Sequence, residues 1–193
     1  MSFQKVSLEE WLNFNNLNLV GSELLPVTDD KNYNKIAKPE RSTKNSAGYD
    51  FRLPFDIDIP ADTPVIIPTG IIADMNNLFQ FDIEDQVAEE LKLYIDDKRE
   101  DIPNSVFLGL YPRSSLGFKY GMRLLNTVGI IDSDYAHNES NEGHIMVGII
   151  CSKPMRLEQG TKFCQGIIQP FFVMEDDKAD GERTGGMGST GTK

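Results

Sequence analysis

The middle of the chain contains a basic, hydroxyl-rich segment, residues 111–123. It carries three basic side chains and no acidic one, and it includes the run Arg113, Ser114, Ser115, followed by Leu-Gly. The arginine offers a fork of hydrogen-bond donors, the serines add two small donors, and the glycine lets the backbone approach a ligand closely. Such a group is suited to binding phosphate, although the pattern alone also fits an ordinary turn.

A second segment, Asn126–Tyr135, brings two acids and an aromatic ring together. Asp132 follows an apolar run that ends at Ile131, and Asp134 and Tyr135 come two and three residues later. An aspartate in this position could act as a general base beside a ring that stacks on a ligand. A turn with solvated acidic side chains is the alternative for this stretch taken alone.

Two further segments differ from ordinary connections between strands. The first, Asn45–Asp50, reads NSAGYD and precedes an apolar run. The second is the C-terminal end, where residues 181–193 contain five glycines and almost no core-forming side chains. A segment of this composition cannot bury enough apolar surface to become ordered alone, so we predict a mobile arm that a ligand or a neighbouring subunit can fix. Its GGMGSTG run also resembles a phosphate-binding loop.

The composition limits the class of ligand. The chain has 193 residues, 19 basic and 30 acidic, and a net charge of −11, which argues against a protein that binds nucleic acid directly. An anionic small molecule is compatible with this charge where basic side chains cluster. Cys151 and Cys164 lie in apolar stretches and are expected to be reduced and buried. Two histidines without a CxxC pair do not form the pattern of a zinc site.

The N-terminal residues 1–17 carry Lys5, Glu9 and Glu10 and have no continuous apolar core. They match neither a signal peptide nor a membrane span. We therefore expect a cytoplasmic protein that does not enter a membrane.

The elements expected to position these segments are mostly short strands. From about residue 22, short apolar runs alternate with turn residues, and prolines recur from Pro26 to Pro112, which helices would not tolerate. This spacing predicts an all-β sandwich or barrel. Two helices interrupt it: one at 7–19, with a capping box from Ser7 and Glu10, and an amphipathic one inserted between strands at 82–100.

Taken together and in this order, the four segments resemble the motifs of the trimeric dUTPases, the deoxyuridine triphosphate nucleotidohydrolases, in particular phage and Gram-positive members with insertions. Five motifs, spanning about three quarters of the chain, carry the resemblance: AGYDF at 47–51, PRSSLG at 112–117, NTVGIIDSDY at 126–135, GTKFCQ at 160–165 and RTGGMGSTG at 183–191. The resemblance implies a distorted jelly-roll-like barrel. Residues 1–181 would form its single domain, with the 82–100 helix inserted, and 182–193 a flexible arm.

The resemblance also implies a role for each matching residue. Asp132 matches the base that activates the attacking water, Tyr135 the ring that packs on the deoxyribose, and Asp50 an aspartate that reaches the metal through water. The matches to the family's other substrate contacts are Asn126, Ile130, Ile131, Met146 and Met187 for uracil, and Arg113, Ser114, Ser115, Lys162, Gln165, Arg183, Gly188 and Ser189 for the phosphates.

The implied reaction is Mg²⁺-assisted hydrolysis of dUTP to dUMP and pyrophosphate, by in-line attack of water on the α-phosphorus. It would limit uracil in DNA and supply dUMP for dTMP synthesis, in a homotrimer whose subunits share their sites. The related dCTP deaminases share the PRSSLG segment and are the nearest alternative, although they match less well at 126–135. A second alternative, added to catalysis, is docking of a protein partner on the 82–100 helix, which could equally be a solvated flap or a subunit contact.

Overall fold

The computed structural model describes residues 1–75, 106–174, 176–181, 183 and 185. The helix predicted at 82–100 and the arm residues Met187, Gly188 and Ser189 lie outside these ranges. The helix, its docking role and the domain limit at residue 181 therefore stay predictions.

The described strands form four small antiparallel sheets. The largest has the order β2 (Tyr49–Arg52), β11 (Lys162–Pro170), β6 (Val106–Pro112), β8 (Gly129–Asp132). The second joins β4 (Val65–Pro68), β9 (Met146–Ile150) and β7 (Arg123–Leu124). Two strand pairs complete the set: β1 (Ser2–Lys5) with β5 (Ile71–Asp74), and β3 (Ile57–Ile59) with β10 (Met155–Leu157). The prediction of an all-β fold is confirmed, in the form of a distorted jelly roll.

Every second side chain of these strands points into one shared core. In β3, for example, Ile57 and Ile59 are buried and Asp58 between them is exposed, as the period of two in a strand requires. Both cysteines are buried and unpaired, as predicted. Burial raises the pKa of the Cys151 and Cys164 thiols, which disfavours the reactive thiolate form of both.

The N-terminal helix is shorter than predicted. Helix α1 spans Leu8–Asn13 and passes into a 3-10 turn at Phe14–Asn16, so the predicted end at residue 19 is wrong. The side chain of Asn15 explains the early end. Its Oδ1 accepts from the Thr28 amide and its Nδ2 donates to the Thr28 carbonyl, both at 2.8 Å. This pairing holds the chain at Asn15 against the segment at Thr28, and the α-helix does not continue past Asn13.

The predicted capping box of α1 forms only in part. Ser7 Oγ accepts from the Glu10 amide at 3.1 Å, as predicted. The reciprocal bond is replaced, because the Ser7 amide donates to the Glu142 carboxylate at 2.7 Å and the Glu10 carboxylate lies 3.1 Å from His144 Nδ1. Helix α1 is therefore attached to the loop that precedes β9.

Two other short helices are α2 (Asp30–Lys35), capped by Asp29, and α3 (Ser114–Tyr120). Helix α3 ends at Gly121, whose φ of 65° is a left-handed conformation that favours glycine. Within the described ranges, no helix has the length and apolar character needed to cross a membrane.

Candidate active site

The first group of predicted site residues lies where β2, β11 and β6 run side by side. Residue Gln165 of β11 pairs with Asp50 of β2, and Cys164 pairs with Pro112, the last residue of β6. Arg113 follows β6 directly, so Asp50 and Arg113 come from the chain segments on either side of β11. The register shifts between Lys162 and Cys164, and Lys162 reaches the same carboxylate.

The Asp50 carboxylate holds two cations together. Its Oδ1 is ion-paired with the Arg113 guanidinium, and its Oδ2 lies 2.8 Å from Lys162 Nζ and 2.7 Å from Ser42 Oγ. We call Ser42, Asp50, Arg113 and Lys162 the phosphate cluster. Two cations against one carboxylate leave a net positive charge. Because Arg113 and Lys162 keep 32% and 26% of their side chains exposed, they can reach an anion from solvent.

Asp50 itself is almost completely enclosed, with 3% of its side chain exposed. Burial alone would raise the pKa of this carboxyl group. The hydrogen bonds from Lys162, Ser42 and Arg113, together with the charge of the guanidinium, outweigh burial and lower the pKa of Asp50 below its ordinary value of 3.8. The group is therefore a carboxylate at neutral pH, and it orients both cations.

This shift predicts a pH-dependent contribution to stability. Because the native pKa is lowered, the Asp50 carboxylate stabilises the fold above its unfolded pKa, and this contribution is lost as the pH falls through the native pKa. We expect Asp50→Asn to lower the free energy of unfolding at pH 7 by about 1–3 kcal/mol. The difference from the unsubstituted protein should shrink in acid, as urea denaturation at a series of pH values would measure. Asn at the exposed Asp58 is the control, and a pH-independent difference for Asp50→Asn would contradict this account.

Three other residues of the predicted phosphate site lie close by. Ser114 and Ser115 are exposed in the first turn of α3. Gln165 is half-buried, and its carboxamide oxygen occupies the space that a Cβ on Gly48 would need. This close approach explains why the AGYDF motif has a glycine, which lacks a Cβ, at this position.

The second group, which we call the carboxylate cluster, consists of Asp132, Asp134, Tyr135 and Arg183. Asp132 ends β8, and a 3-10 turn at Ser133–Tyr135 follows. The two carboxylates are half-exposed, at 51% and 52%. Arg183 bridges them: its Nη2 lies 2.6 Å from Asp132 Oδ2 and its Nε 2.8 Å from Asp134 Oδ1. Its guanidinium carbon lies 5.7 Å from the centroid of the Tyr135 ring.

The residues predicted to read uracil surround the same strand. Ile130 is exposed and Ile131 half-buried in β8, whose second edge is unpaired among the described strands. Asn126 is exposed in the turn that precedes β8. The Leu125 amide donates to the Gly148 carbonyl at 2.9 Å, which directs the chain at Asn126 towards Met146 at the start of β9. Unpaired backbone groups at an edge of this kind can bind the polar edge of a base.

The structure does not bring the two clusters together within one chain. Asp132 pairs with Phe107 near the start of β6, whereas Arg113 follows the other end of that strand. Six residues of extended chain span about 20 Å. A general base must lie within hydrogen-bond reach of its proton, directly or through one water molecule. Among the described residues of one chain, Asp132 and the phosphate cluster are therefore too far apart to act on the same phosphate, and Arg183, predicted near phosphate, lies at the Asp132 end.

Several residues of these clusters were not identified from the sequence. Ser42 contacts Asp50, and the only local signal is its place in a hydroxyl-rich run before the AGYDF motif. Asn138, Asn141 and His144 surround Tyr135. The density of Asn, Ser and Gly in residues 136–144 indicates a turn-rich loop, but it does not indicate which side chain the loop holds.

The described residues do not form a metal site by themselves. They contain no group of three or more His, Cys, Asp or Glu side chains able to hold an ion. Both oxygens of Asp50 already accept from cations or a hydroxyl group. This donor set suits an ion that is carried in by the phosphates of a substrate. The water-mediated metal contact of Asp50 stays a prediction.

Sequence comparisons find relatives that cover most of the chain. No family model matches the chain. The deoxyuridine 5'-triphosphate nucleotidohydrolase of Lactococcus lactis is 35% identical over 169 residues, which is 86% of this chain and 94% of that protein. The Haemophilus ducreyi protein of the same name is 31% identical over 86% of this chain and 95% of its own.

Solved structures show the same relationship. The crystal structure of dUTPase from Streptococcus mutans matches with a TM-score of 0.54 and 30% identity, over 79% of this chain and 96% of that one. The dUTPase from phage phi11 of S. aureus matches with a TM-score of 0.51 and 15% identity, over 76% and 91%, which shows the fold alone. From the identity and coverage of these relatives, the chain belongs to the deoxyuridine 5'-triphosphate nucleotidohydrolase family.

Proposed function

We propose that the protein hydrolyses dUTP to dUMP and pyrophosphate. The observation that carries the proposal is the arrangement around Asp132. A half-exposed carboxylate ends an edge strand, Tyr135 follows it within one turn, and the unpaired backbone of β8 lies beside both. A base, a ring for the sugar and an edge that can read uracil are thus adjacent, in a chain 35% identical to a dUTP-hydrolysing enzyme by name.

In the proposed mechanism, Asp132 accepts a proton from the water that attacks the α-phosphorus. The water oxygen forms a bond to phosphorus, the bond to the bridging oxygen of the β-phosphate breaks, and pyrophosphate leaves. A positioned general base contributes about 10²–10⁴-fold in rate. Arg113 and Lys162 bind phosphate oxygens and offset their charge, which lowers the barrier further.

The selection of uracil over other nucleobases follows from hydrogen bonding. Uracil offers an acceptor at O4 and a donor at N3, the reverse of cytosine. The backbone of Ile130 and Ile131, with Asn126, would pair with that pattern, and a wrong base would leave buried groups unpaired. Met187 would lie over the base.

Magnesium is proposed to enter as part of the substrate, bound to the triphosphate. A structure of the phage phi11 dUTPase is described as coordinating a structural Mg(II) ion. A bound Mg²⁺ would neutralise only part of the negative charge of the triphosphate. The phosphate cluster of the present protein carries a net positive charge that would offset the rest. Buried, unpaired cysteines suit the reducing cytoplasm, where we place the reaction.

A homotrimer is proposed because one chain separates its two clusters by the length of β6. A second copy can place its phosphate cluster beside the Asp132 of the first. The segment after β11 supports such an assembly, since Phe172, Val173 and Met174 are 95%, 68% and 78% exposed. Contiguous apolar surface of this kind is rare on monomers.

The C-terminal arm is proposed to close over bound nucleotide, and its removal gives a prediction. Deleting residues 182–193 should leave the β fold intact, because the last described strand ends at Pro170, before the arm begins. Turnover should fall at least about tenfold, because closure excludes water and completes the charge around the phosphates. Circular dichroism and pyrophosphate release would measure the two effects, with deletion of Lys193 alone as the control. Full activity without the arm would contradict its role.

The test of the proposed function is pyrophosphate release with each of the five common deoxynucleoside triphosphates, with and without Mg²⁺. We expect release from dUTP alone and only with the ion. Ammonia release from dCTP would instead support the deaminase alternative, and no activity with dUTP would disprove the proposal.

A further inference from the structure

The loop at residues 136–144 encloses Tyr135. The Tyr135 hydroxyl donates to the His144 carbonyl at 3.2 Å and accepts from Asn141 Nδ2 at 2.8 Å. The Tyr135 carbonyl accepts from Asn138 Nδ2 at 2.8 Å. Burial raises the pKa of Tyr135, so the hydroxyl keeps its proton at neutral pH and satisfies both partners. The aromatic ring is thus held at its far end.

The loop is itself fixed by a dense set of hydrogen bonds. Asn138 Oδ1 accepts from the Ser140 amide and hydroxyl and from the Asn141 amide, at 2.8–3.1 Å. The His137 amide donates to the Glu142 carbonyl at 2.9 Å. His137 and Glu142 adopt positive φ values of 61° and 56°. Non-glycine residues keep this conformation only where the surroundings impose it, so the loop has one defined shape.

Helix α1 and its N-cap residue Ser7 also anchor this loop. The Glu142 carboxylate accepts from the Ser7 amide at 2.7 Å and from the Ser7 hydroxyl at 2.6 Å. His144 is fully buried, and its Nε2 accepts from the Gly70 amide at 2.9 Å. The ring proton therefore resides on Nδ1 and is donated to the Glu10 carboxylate at 3.1 Å. A chain of contacts thus runs from α1 through His144 to the Tyr135 hydroxyl.

We infer that this chain of contacts sets the discrimination between deoxyribose and ribose, with Asn141 as a positioning residue and Glu10 as its anchor on α1. The inference rests on the proposed hydrolysis of dUTP, in which the Tyr135 ring packs on the sugar. A ring free to swing makes room for a 2'-hydroxyl group, whereas a ring held at its hydroxyl does not. The N-terminal helix therefore contributes to substrate selection without contacting substrate.

The first test compares kcat/KM for dUTP with that for UTP in Asn141→Ala, Tyr135→Phe and the double variant. We expect each single change to lower the dUTP/UTP ratio about tenfold. For Asn141→Ala, which does not contact substrate, we expect kcat for dUTP within about threefold of the unsubstituted protein, with the loss of discrimination appearing in the KM values. The double variant should be no worse than either single one, because both remove the same contact. Ser140→Ala removes only the hydroxyl bond to Asn138 Oδ1, which keeps the Ser140 and Asn141 amides as donors and makes no contact with the Tyr135 hydroxyl, so it should leave the ratio unchanged.

The second test addresses the anchor on α1. Glu10→Ala should lower the dUTP/UTP ratio several-fold, whereas Glu10→Gln keeps an acceptor for His144 Nδ1 and should retain the ratio. Glu9 is exposed on the same helix, so Glu9→Ala serves as the matched control. The melting temperatures of these variants would show whether a substitution only loosens the loop or unfolds the whole protein.

The outcomes distinguish this inference from the function on which it rests. An unsubstituted protein that releases no pyrophosphate from dUTP overturns both. An active protein whose ratio is unchanged by Asn141→Ala and Tyr135→Phe overturns only the inference, and so does full additivity in the double variant. If Asn141→Ala fails to fold, Tyr135→Phe, which removes a single oxygen atom, decides.

Discussion

Replacing Asp132 by Asn is expected to lower turnover at least about a hundredfold, with nearly normal binding of dUTP. The amide keeps the size of the side chain and part of its hydrogen bonding, but it cannot accept a proton from water at neutral pH. The loss corresponds to the contribution of one general base. Single-turnover pyrophosphate release and equilibrium binding of a non-hydrolysable dUTP analogue would measure the two quantities.

Asp134 provides the matched control for this substitution. Its carboxylate is as exposed as that of Asp132, and both contact Arg183 at under 3 Å. Asp134→Asn therefore disturbs the same arginine without removing the proposed base, and we expect turnover within about threefold of the unsubstituted enzyme. Equal losses in the two variants would assign the effect to Arg183, and turnover retained in Asp132→Asn would remove Asp132 from the mechanism.

Mixing two inactive variants is expected to restore activity. Arg113→Ala disables the phosphate cluster, and Asp132→Asn disables the base at the other end of β6. In a symmetric assembly whose sites combine the two ends from different subunits, random mixing leaves about one site in four with both residues intact. We therefore expect about a quarter of full activity after the two variants are unfolded and refolded together.

A second mixture controls for this result. Arg113 and Lys162 both contact Asp50 of their own chain, so their lesions fall in the same cluster. A mixture of Arg113→Ala and Lys162→Ala should stay inactive, because every phosphate cluster in it carries one lesion. Recovery in this mixture, or none in the first, would contradict a site shared between subunits. A mass of one chain, measured by light scattering at a concentration where the enzyme is active, would also contradict a shared site.

Short-range patterns in the sequence determined much of this description. Alternation and proline placement predict the all-β fold, and Ser7 predicts the start of α1. The five motifs indicate the family, as the relatives confirm. These features depend on residues within a few positions of one another, where periodicity and capping chemistry act directly. The end of α1 was missed because Asn15 bonds to Thr28, thirteen residues away, which no local pattern reports.

The tertiary structure decided which side chains meet. Asp50 contacts Arg113 and Lys162, which lie far along the chain and are brought to it by the pairing of β2, β11 and β6. Ser7 contacts Glu142, 135 residues away, and this bond links the N-terminal helix to Tyr135. The register of β8 on β6 also separates Asp132 from Arg113. Pairings of this kind arise from strand register and burial in the whole fold, so they are not encoded in the spacing of neighbouring residues.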